Sequence, residues 1–167
     1  MIEIFNTQDQ IPSDSEILSF WDMMFSPAHM RWDYDDNTAY AQKTNEEILD
    51  TYHTKILPRT NTIACWARTH SMIIGMASLN RFTETSRAHC AELGFSVREV
   101  YQRQTIGFRL VAAVIEKARE VGVKRIECSC FADNVASIAL LQKTGFHEEG
   151  LRIGAIWKEG EFRDIHL

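Results

Sequence analysis

Between Val100 and Gly122, apolar side chains return at helical spacing. Ile106, Leu110, Val114 and Ala118 form one stripe, widened by Val111 and Ile115, while Arg109, Glu116, Lys117, Arg119 and Glu120 lie mostly off it. This is the pattern of an amphipathic helix, and Gly122 is its natural C-terminal cap. Just upstream, Ala91, Leu93, Phe95 and Val97 alternate as one face of a strand, which turns Glu92 to the other face. Nearer the N-terminus, residues 2–5 alternate as a short first strand. Ser13 or Ser15 caps a helix that runs to about Phe25 and is ended by Pro27. Thr44-x-x-Glu47 is a capping box for a second helix, which ends near Leu57 before Pro58. From Asn61 strands take over: 62–68, 72–79 and 87–97 are separated by short polar connections and are expected to pair antiparallel in sequence order. After the long helix, residues 125–131 read as a strand with Ile126, Cys128 and Cys130 on one face. Asp133 and Asn134 open a helix over 135–143 that Gly145 ends. Residues 146–153 and 155–167 are the last two strands, with Gly160 in a turn over 158–161. Strand, helix and strand through 91–131 imply one crossover connection.

Where the strand over 91–97 meets the long helix, the chain reads Gln102, Arg103, Gln104, Thr105, Ile106, Gly107 and Phe108. The first four amides of a helix have no partner inside it, and its dipole makes that end positive. A polar turn of low bulk at this point is the local architecture of a phosphate or pyrophosphate site.

Composition narrows the choice of partner. A chain of 167 residues with 45% hydrophobic and 25% charged residues suits one globular domain over 1–167, and no repeat, linker or low-complexity tract divides it. A net charge of −5 argues against broad nucleic-acid binding, which needs a concentrated basic surface. No apolar run approaches a membrane span and the first residues do not form a signal peptide, so no membrane partner is expected and the cytoplasm is the default location. Cys65, Cys90, Cys128 and Cys130 sit in apolar segments without a CxxC pair and read as reduced core residues. The six histidines, among them His29, His53, His70 and His89, are scattered without ligand spacing, so no metal is expected.

The run from Gln102 to Gly107 resembles the pyrophosphate loop of the GCN5-related N-acetyltransferases (GNAT), commonly Gln/Arg-x-x-Gly-x-Gly/Ala, which in that family binds the pyrophosphate of acetyl-coenzyme A. Thr105 departs from it by standing at the first glycine position. A β-branched residue resists positive φ, so the loop is expected to use a conformation open to threonine. A second match follows at a compatible distance. Asn134, Ser137, Leu140, Lys143, Gly145 and Phe146 are similar to the family's Asn-x-x-Ala/Ser-x-x-Leu-Tyr-x-Lys-x-Gly-Phe. The resemblance covers roughly Asn61 to the C-terminus. The tail, from Gly145 to Arg152 and Gly160 to Asp164, looks like the branch of ribosomal-protein N-terminal acetyltransferases and spermidine acetyltransferases. The fold this implies is α+β (α/β): a single mixed, mostly antiparallel sheet of about six to seven strands, flanked by about four helices and split centrally at the cofactor site.

The chemistry implied is direct attack of a neutral amine on the acetyl thioester of acetyl-CoA, the co-substrate. The protein must align the reactants, remove a proton from the ammonium form and stabilise the oxyanion. By the resemblance, Glu92 is the general base, with an exposed charge or a partner for Arg87 as its alternative. Main-chain groups of Phe95, Ser96 and Val97 serve the thioester and the pantetheine arm, and Gln102 through Phe108 hold the pyrophosphate. Asn134 contacts the cofactor, caps its helix, or does both, and Ser137 has a weaker claim. Leu141 stands where the family commonly has a tyrosine to protonate the leaving thiolate. Water, Tyr101 or unassisted departure of the thiolate are the substitutes. By family analogy the acceptor lies near residues 31–36, where Asp33, Asp35 and Asp36 are a solvated acidic loop or an attraction for an amine. Trp32 and Tyr34 are packing or one side of its pocket.

Two readings stay open. One is an enzyme that acetylates a primary amine, such as a polyamine, an amino acid or a protein N-terminus. The other is a coenzyme A-binding regulatory or scaffold domain without turnover, favoured by Thr105 and Leu141. A dinucleotide-binding oxidoreductase lacks its glycine pattern here. An exposed final strand is a candidate for pairing with a second copy, as a homodimer.

Overall fold

A computed structural model describes residues 2–34, 38–70 and 72–167. Strand β1 (Ile2–Asn6) leads to α1 (Asp14–Met24), whose N-terminus is closed by a capping box between Ser13 and Glu16. Pro27 does not merely end this helix. It occupies the first turn of a short helix, α2 (Pro27–Met30), where its fixed φ is favourable and its missing N–H costs nothing. After α3 (Thr38–Ala41), α4 (Asn45–Thr51) begins at the expected Thr44/Glu47 box and widens into a π turn over Tyr52–Ile56.

Strands β2 (Thr62–Thr69), β3 (Met72–Arg81) and β4 (Cys90–Val97) follow, and a 3-10 turn over Thr85–Arg87 replaces the first residues of the strand expected from 87. A second 3-10 turn, Glu99–Tyr101, leads into α5 (Ile106–Glu120). The expected strand over 125–131 is broken into β5 (Arg125–Glu127) and β6 (Cys130–Phe131), with α6 (Val135–Lys143) after it. The last hairpin is β7 (Leu151–Lys158) and β8 (Glu161–His166). Its two-residue turn puts Glu159 and Gly160 at φ 54° and 86°, which suits the twist of paired strands. The turn therefore falls at 159–160, and residues 146–150 stay outside the strand expected there.

The mixed, mostly antiparallel sheet expected from the sequence is present, and its central split is complete. Five strands pair in the order β1-β2-β3-β4-β5, antiparallel except for the parallel β4–β5 pair that α5 connects, and three more pair as β6-β8-β7. The final strand lies between two neighbours, so it is not the open edge expected; β6 and β7 are the outer strands of that sheet.

Alternation along β2 sends Ile63, Cys65 and Ala67 to one face and Ala64 and Trp66 to the other. The first set packs with Leu110, Val111, Val114 and Ala118 of α5 and with Leu141 of α6. The second packs with Ile17 and Trp21 of α1, Ile48 of α4, and Tyr52. With helices on both faces, burial of these side chains holds the sheet rigid up to the split. No helix among the described residues is long and apolar enough to cross a membrane.

Candidate functional site

The β4–β5 ladder has three rungs, Cys90↔Arg125, Ala91↔Ile126 and Glu92↔Glu127. Beyond Glu92, Leu93 to Val97 remain paired to β3 on one side but have no strand partner on the other among the described residues. This half of β4 presents the N–H and C=O groups of Leu93, Phe95 and Val97 along an open edge, while those of Ser96, between them, face β3, where its carbonyl oxygen lies against Gly75. An extended chain bearing amides can hydrogen-bond there as a further strand would. One group is occupied, because Gln102 Nε2 donates to Val97 O at 3.0 Å. Gly75 permits the close packing behind this edge: a Cβ there would stand 2.9 Å from Ser96 O and 3.0 Å from Leu110 Cδ1.

At the open end of that edge lies the polar loop. The amides of Arg103, Gln104, Thr105, Ile106, Gly107 and Phe108 donate to no described residue, and the first helical bond of α5 runs from Arg109 N–H to Thr105 O at 3.0 Å. Thr105 corrects the expectation drawn from its side chain. It sits in the left-handed region at φ 63° and ψ 2°, and Arg103 does so at φ 59°. The demands of the loop override the intrinsic preference of threonine, since left-handed residues turn successive N–H groups toward a common point. Ile106, 1% exposed, anchors the turn in the core, while Arg103, Gln104 and Thr105 stay exposed. Gln104 Nε2 donates to Val100 O at 3.3 Å. A Cβ on Gly107 would lie 3.1 Å from Leu140 Cδ2, and Phe108 carries Lys143 Nζ 5.1 Å above its ring. Six unpartnered amides with Arg103, Arg109 and Lys143 nearby fit a diphosphate.

Asn134 caps α6: its Oδ1 accepts from Ser137 N–H at 3.1 Å, and its side-chain amide donates to no described residue. Leu141 is 8% exposed and belongs to the main core, so apolar packing fills the position where a phenol would stand, and Tyr101 packs against the same cluster.

On the opposite face of β4, Glu92, Gly94 and Ser96 form one row. Glu92 is exposed, and the suggested pairing with Arg87 is absent, because Arg87 Nη2 bonds Glu127 at 2.8 Å. Nothing lies closer than 3.8 Å to a Cβ on Gly94, so the floor between Glu92 and Ser96 is bare. Ser96, 5% exposed, is hydrogen-bonded to His29 of α2, with Oγ and Nε2 2.5 Å apart. Burial lowers the His29 pKa, against a smaller upward pull from Asp33.

The segment after α2 is held by the last hairpin. Lys158 Nζ donates to Met30 O at 2.8 Å and to Asp33 O at 2.5 Å, and Arg163 Nη1 donates to Arg31 O at 3.1 Å while its Nη2 grips the Asp133 carboxylate. Trp32 and Tyr34 are half-buried against Phe131, with Tyr34 edge-on at 5.0 Å. Burial raises the Tyr34 pKa. Its hydroxyl lies beside Ser129 without a well-formed hydrogen bond, and the Glu92 carboxylate adds a smaller upward pull. Asp35 and Asp36 lie outside the described residues. A cavity of about 800 Å³ runs along β5, lined among others by Arg87, Glu92, Glu127, Ser129 and Arg152, so Glu92 is reached from solvent.

An open strand edge ending at a loop of free amides is a place for a long amide-bearing anion, and comparison with known proteins agrees. Residues 20–146 match the acetyltransferase (GNAT) family. The chain belongs to that family. Among its GNAT relatives, acetyltransferase Pat of Mycolicibacterium smegmatis is 31% identical over 93 residues, 55% of this chain and 25% of Pat. The L-amino acid N-acetyltransferase AaaT of Escherichia coli is 26% identical over 95 residues, 56% of this chain and 59% of AaaT. The chain thus spans a quarter of one curated relative and about three fifths of the other. A putative acetyltransferase of Salmonella typhimurium, yncA, solved with its cofactor acetyl-CoA, shares the fold at a TM-score of 0.76 and 18% identity, covering 99% of this chain and 90% of that one.

Several residues of this candidate site were not marked by the sequence. Gly94 looked like one residue of an alternating strand, and its parity with Glu92 and Ser96 was its only signal. His29 carried none, because its contact with Ser96 spans 67 positions. Lys158 read as a turn residue and Arg163 as part of the last strand; their bonds to Met30, Arg31 and Asp33 carry no local signal.

Proposed function

We propose that the chain transfers the acetyl group of acetyl-CoA to a primary amine by direct attack within a ternary complex. The carrying observation is the row of six free amides at the start of α5, continuous with the unpaired edge of β4. When bound, acetyl-CoA supplies the activated acyl group. Gln102 through Phe108 hold its diphosphate, Phe95 and Val97 offer main-chain groups to the pantetheine and thioester while Ser96 between them is turned to β3, and Asn134 and Ser137 stand at the start of α6. Glu92 takes a proton from the incoming ammonium, directly or through water, which frees the nitrogen lone pair. Trp32 and Tyr34 form one wall of the acceptor site, and Asp35 belongs to the same stretch of sequence.

The cavity along β5 favours an acceptor that carries a carboxylate beside its amine. Arg87 and Arg125 are tied to Glu127 and Glu149, whereas Lys124 and Arg152 have no ion pair among the described residues. These two cations suit a carboxylate and Glu92 suits the amine. An L-amino acid has both groups, and that is the acceptor class named for AaaT.

The test is thiol release from acetyl-CoA with a panel of L-amino acids, polyamines and alanine- or serine-initiated peptides, beside calorimetry of coenzyme A binding. Acceptor-dependent release, fastest with amino acids, is the expected result. Absence of binding removes the whole reading. Binding without release from any acceptor selects the second reading, a coenzyme A-binding regulatory domain, which Leu141 favours because it leaves no phenol at that position.

A further inference from the structure

Resting on the acetyl-transfer reading above, we infer that His29, held by Ser96, is a second proton-handling group of this site and carries the proton that the leaving thiolate needs. Acetylation of an ammonium removes two protons from nitrogen, yet Glu92 can take only one per turnover before it is discharged. The other is still on nitrogen when the C–N bond has formed. A neutral imidazole accepts it from that nitrogen as the tetrahedral adduct forms. The resulting imidazolium gives it to sulfur as the C–S bond breaks. The products are amide, free thiol and neutral His29, and Glu92 later returns its own proton to water.

Three placements support this role. Ser96 lies on the same face of β4 as Glu92, four residues on, roughly 13 Å along the strand at ordinary strand rise. The intervening position is Gly94, whose missing side chain leaves the space between them open. His29 Nε2 is 2.5 Å from Ser96 Oγ, so the imidazole is oriented by a residue of the strand whose free edge would hold the thioester. The charge that reaches it is Asp33 in its own segment; Lys158 and Arg163 from the hairpin bond the neighbouring carbonyls of Met30 and Arg31, and Glu92 stands four residues along β4 from Ser96. Burial keeps the ring neutral near pH 7, the state required of an acceptor. This arrangement also answers how the site works with Leu141 buried in the core.

The test joins one measurement on the chain alone with one on turnover. By NMR without co-substrate, the His29 ring is expected to titrate below the ordinary histidine value of about 6.5, and Ser96→Ala is expected to shift that titration. In thiol-release kinetics with the fastest acceptor of the panel above, His29→Gln is expected to lower kcat about 100-fold with both KM values nearly unchanged, and to remove from the pH profile the inflection that coincides with the His29 titration seen by NMR. Ser96→Ala should lower kcat by a smaller factor, and it decides the matter if His29→Gln does not fold. Wild-type kcat in folded His29→Gln, or in Ser96→Ala where His29→Gln does not fold, overturns the inference while leaving acetyl transfer intact. A wild-type chain that binds coenzyme A but acetylates nothing overturns the acetyl-transfer reading, and this inference with it.

Discussion

Glu92 and Glu127 face each other on the last rung where β4 and β5 pair. The two carboxylates differ in what surrounds them. Glu127 is bonded by Arg87 at 2.8 Å and by Arg125 at 2.9 Å, whereas Glu92 has no ion pair among the described residues and stands at the point where the strands part. Glu92→Gln is therefore expected to leave the melting temperature almost unchanged, as for other exposed positions, and to lower kcat about 100-fold. Thermal melting and thiol release check both halves. An unchanged kcat would move the base elsewhere.

Gly94 offers a sharper test of where the acceptor sits. A valine there is at home in a strand and meets no backbone, but it fills the bare floor between Glu92 and Ser96. Gly94→Val is expected to retain coenzyme A binding by calorimetry and to lose acceptor-dependent thiol release. Gly75→Ala acts differently: its Cβ would lie 2.9 Å from Ser96 O and 3.0 Å from Leu110 Cδ1. Overpacking of this kind is expected to cost about 2 kcal/mol in urea denaturation.

Thr105 stores strain in the loop. A β-branched residue in the left-handed region costs about 1–3 kcal/mol, and glycine relieves this while losing about 0.5–1 kcal/mol through its freer unfolded state. Thr105→Gly should therefore gain about 1 kcal/mol in urea denaturation and keep its affinity for coenzyme A, since the amides do not move.

Alkaline stability follows from buried acids that must stay protonated. Burial pushes the Cys65 thiol up to about 11, Cys128 up to about 12 and the Tyr52 phenol up to about 12. Their unfolded counterparts ionise earlier, near pH 8.5 for cysteine and 10 for tyrosine. The unfolded chain thus binds fewer protons between these limits, so stability is full below about pH 8.5 and falls as pH rises toward 11–12. Denaturant midpoints measured from pH 8 to 11 should fall, and Cys128→Ala should flatten the slope. The same burial keeps these thiols slow toward iodoacetamide at pH 8.

The strand–loop–helix from Cys90 to Glu120 was legible because three local signals coincide there: alternation, a polar turn and a helical stripe. The capping box at Thr44 was legible for the same reason, being decided within four residues, whereas at the first helix Ser13 and Ser15 stayed alternatives until the Ser13–Glu16 box chose between them. What stayed hidden depends on distant partners. Residues 125–131 look like one strand, and they part only because the first half pairs with β4 and the second with β8. Pro27 reads as a stop whether or not a helix follows it. The backbone of Thr105 runs against its residue type because the loop geometry, not the side chain, sets its φ. The pairing of His29 with Ser96 requires α2 to be laid against β4, which no periodicity encodes.

The hairpin β7–β8 meets the segment after α2 through Lys158 and Arg163, 125 to 132 positions away in the chain. Lys158→Ala is expected to raise the KM for the acceptor severalfold with the KM for acetyl-CoA unchanged, because the bonds it removes hold the segment proposed to wall the acceptor site.

With the acceptor placed as proposed, that tether makes selectivity a joint property of two distant stretches of sequence. Grafting residues 26–34 from a relative with another preference would import a wall without its buttress. Divergence in acceptor choice should instead be inherited as a matched set, so a chimaera that exchanges 26–34 together with 151–167 is the smallest unit able to transplant a new specificity.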